Sequence, residues 1–246
     1  MAKVYGRRSD YISRNEIVNR KISKVALGFV FLITGIVVGF IINLVFGDSD
    51  TKIIAFAVVS PFYLFISCWL LFNYTKSELT ADKFKLGQEG EDSVFNILNQ
   101  LPEGYIIWRD LKAKYGNVDY VVGRANEVFC IEVKNHKGRI SFNGYELLRN
   151  GYPFKEGDLL KQATREWSEL NELIKTQSFQ TVPIISILVF SNKETWVDCN
   201  PFKPVKNGIY VLHERMLKEF IEHYHHSPQP INIPSLERTL NSRINL

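Results

Sequence analysis

From Val25 to Phe46, and again from Ile53 to Tyr74, the chain carries no charged side chain. Each run is long enough to cross the apolar core of a bilayer, which takes about 20 residues of helix. Only the polar turn Gly47-Asp48-Ser49-Asp50-Thr51-Lys52 separates them. Two such runs in succession, flanked by basic residues, predict a transmembrane helical hairpin over 25–74 (25–46 and 53–74) rather than a pair of buried core helices. A cleaved signal peptide does not fit, because the first run is too long and lacks a small-x-small site at its end. Lys3, Arg7, Arg8, Arg14, Arg20, Lys21 and Lys24 precede the first run, Lys76, Lys83 and Lys85 follow the second, and the turn between them is net acidic. The bias of Lys and Arg toward the cytoplasm predicts a two-pass protein of the cell (inner) membrane with both termini inside, preceded by a basic cytoplasmic segment over 1–24. With no charge inside either run, an ion or proton path is not indicated, and the hairpin reads as an anchor in the lipid bilayer.

The 246 residues leave room for one ordinary domain beyond the hairpin. A net charge of +4 permits an anionic partner without demonstrating one. Cys68, Cys130 and Cys199 are odd in number and scattered, which argues against a disulfide framework and a structural zinc site and fits a reducing compartment. Past Thr75 the composition turns polar. A helix is expected from Gly87 to about Gln100 with Val94, Phe95 and Leu98 as its apolar stripe, and a strand over Tyr105–Leu111. Asp158 to about Thr176 has helical spacing of Leu159, Leu160, Ala163, Trp167, Leu170, Leu173 and Ile174. Pro183–Phe190 is a nearly all-apolar run, as a strand buried on both faces requires. A strand near Ile209–Leu212 and a helix over His213–Tyr224 follow. The order α-β-β-β-α-β-β-α predicts a three-layer α/β unit with a mixed sheet.

The centre of this unit is the pair Val118–Val122 and Phe129–Lys134, two β-prone segments joined by the turn-prone stretch Gly123–Glu127. Alternation places Phe129, Ile131 and Val133 on one face and Glu132 and Lys134 on the other; in the first strand Val118, Tyr120 and Val122 share a face opposite Asp119. Matching the apolar faces sets Tyr120 opposite Ile131 and brings Asp119 to the Glu132/Lys134 side, and a one-residue slip would bury the acid. Two carboxylates on one patch repel unless a cation sits between them, and oxygen ligands suit Mg²⁺ or Mn²⁺. The alternative is a solvated strand face carrying one Glu–Lys pair.

Gly87-x-x-Gly90-Glu91, then Leu101-Pro102, then Val118-Asp119-Tyr120-Val121-Val122, then Ile131-Glu132-Val133-Lys134-Asn135 with Gly138, then Gln162, resembles the NERD (nuclease-related) domain of the PD-(D/E)xK nuclease-like superfamily. Val118 stands where the superfamily's name has proline. The resemblance covers roughly 84–192 and implies a restriction-endonuclease-like mixed sheet, placed here at 84–200, with 201–246 as a C-terminal strand, helix and tail. It implies a metal-dependent nuclease in which Asp119, Glu132 and the Val133 carbonyl hold Mg²⁺ or Mn²⁺. Lys134 would orient or deprotonate the attacking water, Glu91 would serve a second metal or a metal-bound water, and Gln162 would position the backbone or the water. The implied partner is nucleic acid, DNA before RNA. A non-catalytic, membrane-tethered nucleic-acid-binding or scaffold module with the same fold is the rival expectation.

Lys112, Lys114, Arg124, Lys137, Arg139, Lys155 and Lys161 are candidates for phosphate contact. Trp108, Tyr145 and Trp167 are candidates for base stacking, with core packing the expected role of all three, above all of Trp167 on its helical stripe. His223-Tyr224-His225-His226, beside Pro228 and Pro230, reads as an exposed helix end rather than a metal cluster.

Overall fold

In a computed structural model of the chain, the described residues are 1–6, 84–114, 116–178, 182–224 and 230–244, with scattered positions between 28 and 82. The chain divides into two compact units, residues 1–9 with 86–246, and residues 10–85.

In the first unit a six-stranded mixed sheet has the order β1-β2-β3-β4-β8-β10. Its strands are β1 (Lys3–Tyr5), β2 (Ile106–Ala113), β3 (Gly116–Gly123), β4 (Val128–Lys134), β8 (Ile184–Phe190) and β10 (Ile209–His213). β2, β3 and β4 form an antiparallel meander, while β8 and β10 continue the sheet in parallel with β4. The helices are α1 (84–98), α2 (Leu159–Ser178), α3 (Glu214–His223) and α4 (Ile233–Asn241). One apolar layer joins Val94 and Leu98 of α1, Leu217, Phe220 and Ile221 of α3, and Tyr120, Phe129, Ile131, Val133, Ile187 and Val189 of the sheet. On the opposite face, Leu170 and Ile174 of α2 and Leu236 and Leu240 of α4 pack against Trp108, Val121 and Cys130. This is the expected three-layer α/β architecture. The apolar strand over 184–190 is buried along nearly its whole length, as its sequence predicts.

The expected strand and helix order is incomplete. A second sheet of four strands, β7-β6-β5-β9, is built from β5 (Gly138–Phe142), β6 (Leu147–Arg149), β7 (Tyr152–Pro153) and β9 (Thr195–Asp198). The sequence reads as a short strand over Arg139–Phe142, where β5 forms, and as loop or irregular hairpin over 143–157, where β6 and β7 form; β9 is too short and polar to stand out from loop. The basic N-terminal segment opens with β1, which pairs in parallel with β2 and stacks Tyr5 on Trp108. The C-terminal stretch contributes α4, whose Leu236 and Leu240 are fully buried, and Ile244 bridges to Leu111. Lys3 Nζ donates to Glu237 Oε1 at 2.8 Å, so β1 and α4 also touch.

In the second unit, every described residue of the expected hairpin is helical, and Ile36, Phe40, Val45, Phe65, Trp69 and Phe72 are exposed. Most of Ile53–Tyr74, and the turn at 47–52, lie outside the described residues. Among the described residues no helix is long and apolar enough to cross a membrane.

Three of the cations weighed for phosphate contact are committed to protein carboxylates. Arg124 bonds Glu127 at 2.5 Å, Lys137 pairs with Glu194 at 2.8 Å and Arg139 pairs with Asp198 at 2.5 Å. Trp108 is fully buried and donates to Asn241 Oδ1 at 2.9 Å, and Trp167 donates to the Ile184 carbonyl at 2.9 Å. Tyr145 alone of the three aromatics is exposed. His223 lies at the exposed end of α3, and its ring bonds the Glu219 carbonyl at 2.9 Å; His225 and His226 lie outside the described residues.

Candidate active site

The β3–β4 ladder runs from Gly123↔Val128 to Tyr120↔Ile131 and ends there, in the register the apolar pattern predicts. One step on, Asp119 replaces the missing ladder bond. Its Oδ2 accepts the Val133 N–H at 2.8 Å. A carboxylate is thereby wedged between two parting strands, beside the end of β4.

The cause of this parting is visible in β2. Asp110, which would face Asp119 across the β2–β3 pair, has φ of 51°, in the left-handed region that costs a non-glycine residue about 1 kcal/mol or more. No pairing joins 110 to 119, although Arg109↔Tyr120 and Leu111↔Val118 pair on either side. Both strands change face at this point. Val118 packs with Val121, Trp108 and Leu111, not with Tyr120 and Val122. The simple alternation expected for Val118, Tyr120 and Val122 therefore fails at Asp119. Asn117 Nδ2 donates to Asp110 Oδ1 at 2.6 Å and helps hold the distortion.

Glu132 shares a face with Cys130 and Lys134, and that face is covered by α2. The residue is only 4% exposed, so the solvated-strand alternative does not hold. Its Oε1 accepts from Lys134 Nζ at 2.5 Å and from Gln162 Nε2 at 2.6 Å. No N–H donor reaches its Oε2, which is buried. The same Gln162 nitrogen donates to Glu166 Oε1 at 2.9 Å, and the Glu166 carboxyl lies within hydrogen-bonding reach of the Glu132 carboxyl.

Glu91 approaches from α1. Its backbone carbonyl accepts from Tyr120 Oη at 2.9 Å, and Arg109 Nη2 donates to that hydroxyl at 3.3 Å. Gly90 allows the helix this close. A Cβ there would stand 2.5 Å from Ser191 Oγ and 2.9 Å from Asn135 Cβ. Asn135 Nδ2 caps the approach by donating to the Leu86 carbonyl at 2.5 Å, and Asn192 Nδ2 donates to Asn135 Oδ1 at 2.7 Å. Gly90→Ala is expected to destabilise the fold by about 1–2 kcal/mol in a denaturant titration. The overpacking cost of about 1–3 kcal/mol outweighs a helix-propensity gain of about 0.5–1 kcal/mol.

The electrostatics follow from crowding acids in a dry place. Burial, then the Glu132 charge, then that of Glu91 push the Asp119 carboxyl well above the ordinary range, against the Val133 N–H. Burial raises Glu91, with the Asp110 charge next and Arg109 opposing. Burial and Glu132 push Glu166 up to about 8. Burial alone would lower Lys134, but the charge and hydrogen bond of Glu132, then Asp119, overcome it and raise the ammonium.

Glu91, Asp119, Glu132, Lys134 and Gln162 are thus drawn into one neighbourhood by hydrogen bonds and mutual electrostatics. Glu166, absent from the sequence reading, belongs to it. The available signal was its place one helical turn after Gln162, hence on the same face of α2. Among the described residues no group of three or more His, Cys, Asp or Glu is close enough to hold a metal ion. The donor chemistry nevertheless fits a hard divalent cation: oxygen ligands, excess negative charge, and a buried carboxylate oxygen on Glu132 that no N–H donor satisfies.

Residues 86–191 match the family model of NERD, the nuclease-related domain. No curated protein matches the chain, and no solved structure does.

Proposed function

We propose that this chain, whose residues 86–191 carry a nuclease-related domain, is a membrane-anchored nuclease that hydrolyses nucleic-acid phosphodiester bonds on the cytoplasmic face of the inner membrane. The cofactor is Mg²⁺ or Mn²⁺, and DNA is preferred to RNA on superfamily analogy alone. The observation that carries this reading is the divided carboxylate of Glu132, with one oxygen loaded by Lys134 and Gln162 and the other buried among acids, with only the Glu166 carboxyl to meet it. A buried unsatisfied acceptor costs about 1–3 kcal/mol, which a bound cation would offset.

Asp119, Glu132 and the Val133 carbonyl would hold the cation, with Glu91 as a further acid. Bound there, a divalent ion would lower the pKa of its water and neutralise charge on the scissile phosphate. The chain's own groups supply the rest. Asp119 is fixed by the Val133 N–H, so its carboxylate enters the site preoriented. The Lys134 ammonium, steered by Glu132, offers positive charge to a phosphate oxygen as negative charge develops there. Glu132 raises the Lys134 ammonium and so favours its charged form, which suits an electrostatic duty.

The test is hydrolysis of linear duplex, circular duplex and single-stranded DNA and of RNA by the full chain in detergent, with Mg²⁺, Mn²⁺ or EDTA. A fragment starting at residue 84 would lack β1. Metal-dependent cleavage, abolished by EDTA and lowered about 10²–10³-fold in Lys134→Ala, is the expected result. Retained nucleic-acid binding with no cleavage under any condition would replace the enzyme by the scaffold module.

For the anchor, β1 and 106–113 lie in one sheet, on either side of the two uncharged runs. A chain that joins that sheet at both ends can cross a bilayer only an even number of times between them, which favours the two-pass arrangement. The full chain is expected in the membrane fraction after an alkaline carbonate wash, and a variant lacking 25–74 in the supernatant. Recovery of the full chain in the supernatant would remove the anchor from the proposal.

A further inference from the structure

Glu166 is a buried acid that the proposed chemistry leaves without a task. It sits on α2 one turn after Gln162 and is 6% exposed. A buried carboxyl is costly, and an apolar side chain would pack against Cys130 and the sheet at less expense. It is tied to Gln162, whose Nε2 reaches Glu166 Oε1 at 2.9 Å and Glu132 Oε1 at 2.6 Å, and its carboxyl also meets that of Glu132 directly.

A carboxamide has two ends, an oxygen that accepts and a nitrogen that donates twice. Glu132, as an ionised carboxylate, only accepts and so already favours the nitrogen end, and Glu166 takes the second hydrogen and pins the amide between the two acids. Facing two acids at once, only the nitrogen can serve both. We infer that Glu166 is a positioning residue. By accepting the second N–H of Gln162 it holds that amide with its nitrogen toward Glu132, and so keeps Glu132 turned with one oxygen occupied and the other open to a divalent cation. This deepens the nuclease reading and rests on it. Partners of metal ligands that act in this way typically change metal affinity or activity by about 10–100-fold when removed.

The role predicts which property of Glu166 matters. If it works as an acceptor, a glutamine in its place still offers an oxygen; if it ligates the cation itself, the loss of charge is fatal. The full chain is compared with Glu166→Gln, Glu166→Met, Gln162→Ala and the double variant Gln162→Ala/Glu166→Met. Mn²⁺ affinity is read from the electron paramagnetic resonance of the free ion, and cleavage from steady-state kinetics, after thermal melts confirm folding. Glu166→Met is expected to weaken Mn²⁺ binding about tenfold and to lower kcat with little change in KM for DNA. Glu166→Gln should stay close to wild type, and the double variant should be no worse than Gln162→Ala.

Wild-type Mn²⁺ affinity in Glu166→Met, equal impairment in Glu166→Gln, or additive losses in the double variant would each overturn the inference. So would absence of Mn²⁺ binding by the wild type. Should Glu166→Met fail to fold, Glu166→Gln and Gln162→Ala decide, since rescue by the first and a tenfold loss in the second are both required. If the wild type binds Mn²⁺ and cuts no nucleic acid, the nuclease reading falls, while the Mn²⁺ affinities still judge Glu166.

Discussion

Asp119→Asn is expected to abolish nucleic-acid hydrolysis and, in the same protein, to raise the melting temperature of the metal-free form. The two effects have one origin. Asp119 is enclosed near Glu132 and Glu91, and burial and those two charges hold its carboxyl well above the ordinary carboxylate range. Folding therefore carries a penalty at neutral pH, whether the group keeps a proton or a charge. Asn has neither, and its oxygen still accepts the Val133 N–H that Asp119 now receives. Each unit of upward shift is worth about 1.4 kcal/mol, so a gain of about 1–2 kcal/mol at pH 8 is a modest expectation. That corresponds to roughly 3–6 °C for a domain of this size. The gain should shrink as the pH falls through and below 4, where the unfolded chain also takes up the proton that the folded Asp119 holds. Activity should fall about 10³-fold, because a cation would lose one of its charged ligands and the phosphate its neutralising charge. A melting temperature that drops would show the carboxylate to be structural, and activity that survives would remove Asp119 from the chemistry.

Such opposed effects mark what could and could not be read from the chain. The register of β3 on β4 was legible because Tyr120, Val122, Phe129, Ile131 and Val133 must all face one core, and the structure has Tyr120 opposite Ile131. Gln162 entered only through the family resemblance, whereas the spacing of Leu159, Ala163, Leu170 and Ile174, all buried, marked the packed side of its helix. The face change at Asp119 was not legible. It depends on the left-handed Asp110 in the neighbouring strand, and no local pattern announces a break that two strands share. Glu166 was hidden for a related reason. An acid on an amphipathic helix reads as solvent-facing, and only the buried carboxyl of Glu132, from another element, gives it a partner through Gln162. β1 and β9 escaped notice, while β5 was legible as a short strand over Arg139–Phe142, because strands of three to five residues draw their stability from neighbours more than from their own composition. The proposed anchor rests on the length and lack of charge of the runs at 25–46 and 53–74 alone; the sheet shared by β1 and β2 bears on the number of crossings, not on whether the chain crosses.

The metal-free protein is expected to lose stability as the pH rises from about 5 to 8, and Mn²⁺ is expected to restore it mainly at the upper end. Glu166 has an ordinary value of 4.5 and is pushed up to about 8 by burial and Glu132. Between those limits the folded chain holds a proton that the unfolded chain has released, so stability falls with pH through this window. Below 4.5 the contribution is fully present, and above 8 it is gone. Asp119 and Glu91 are shifted in the same direction and add to the slope. Lys134 does not oppose them, because its raised ammonium value keeps it charged in both states across the window. Because the acids share their repulsion, the combined loss is taken as about 3 kcal/mol rather than the sum of separate shifts, or roughly 6–12 °C in melting temperature. A divalent ion binds the deprotonated carboxylates and must displace the proton where one is held. Its stabilisation grows with the ratio of free ion to dissociation constant, so the same Mn²⁺ concentration should raise the melting temperature little at pH 5 and by several degrees at pH 8. Melts in EDTA and in Mn²⁺ across this range measure both effects at once. A flat EDTA profile would mean that the acids do not crowd one another in solution, and equal Mn²⁺ stabilisation at the two ends would mean that the ion binds away from them.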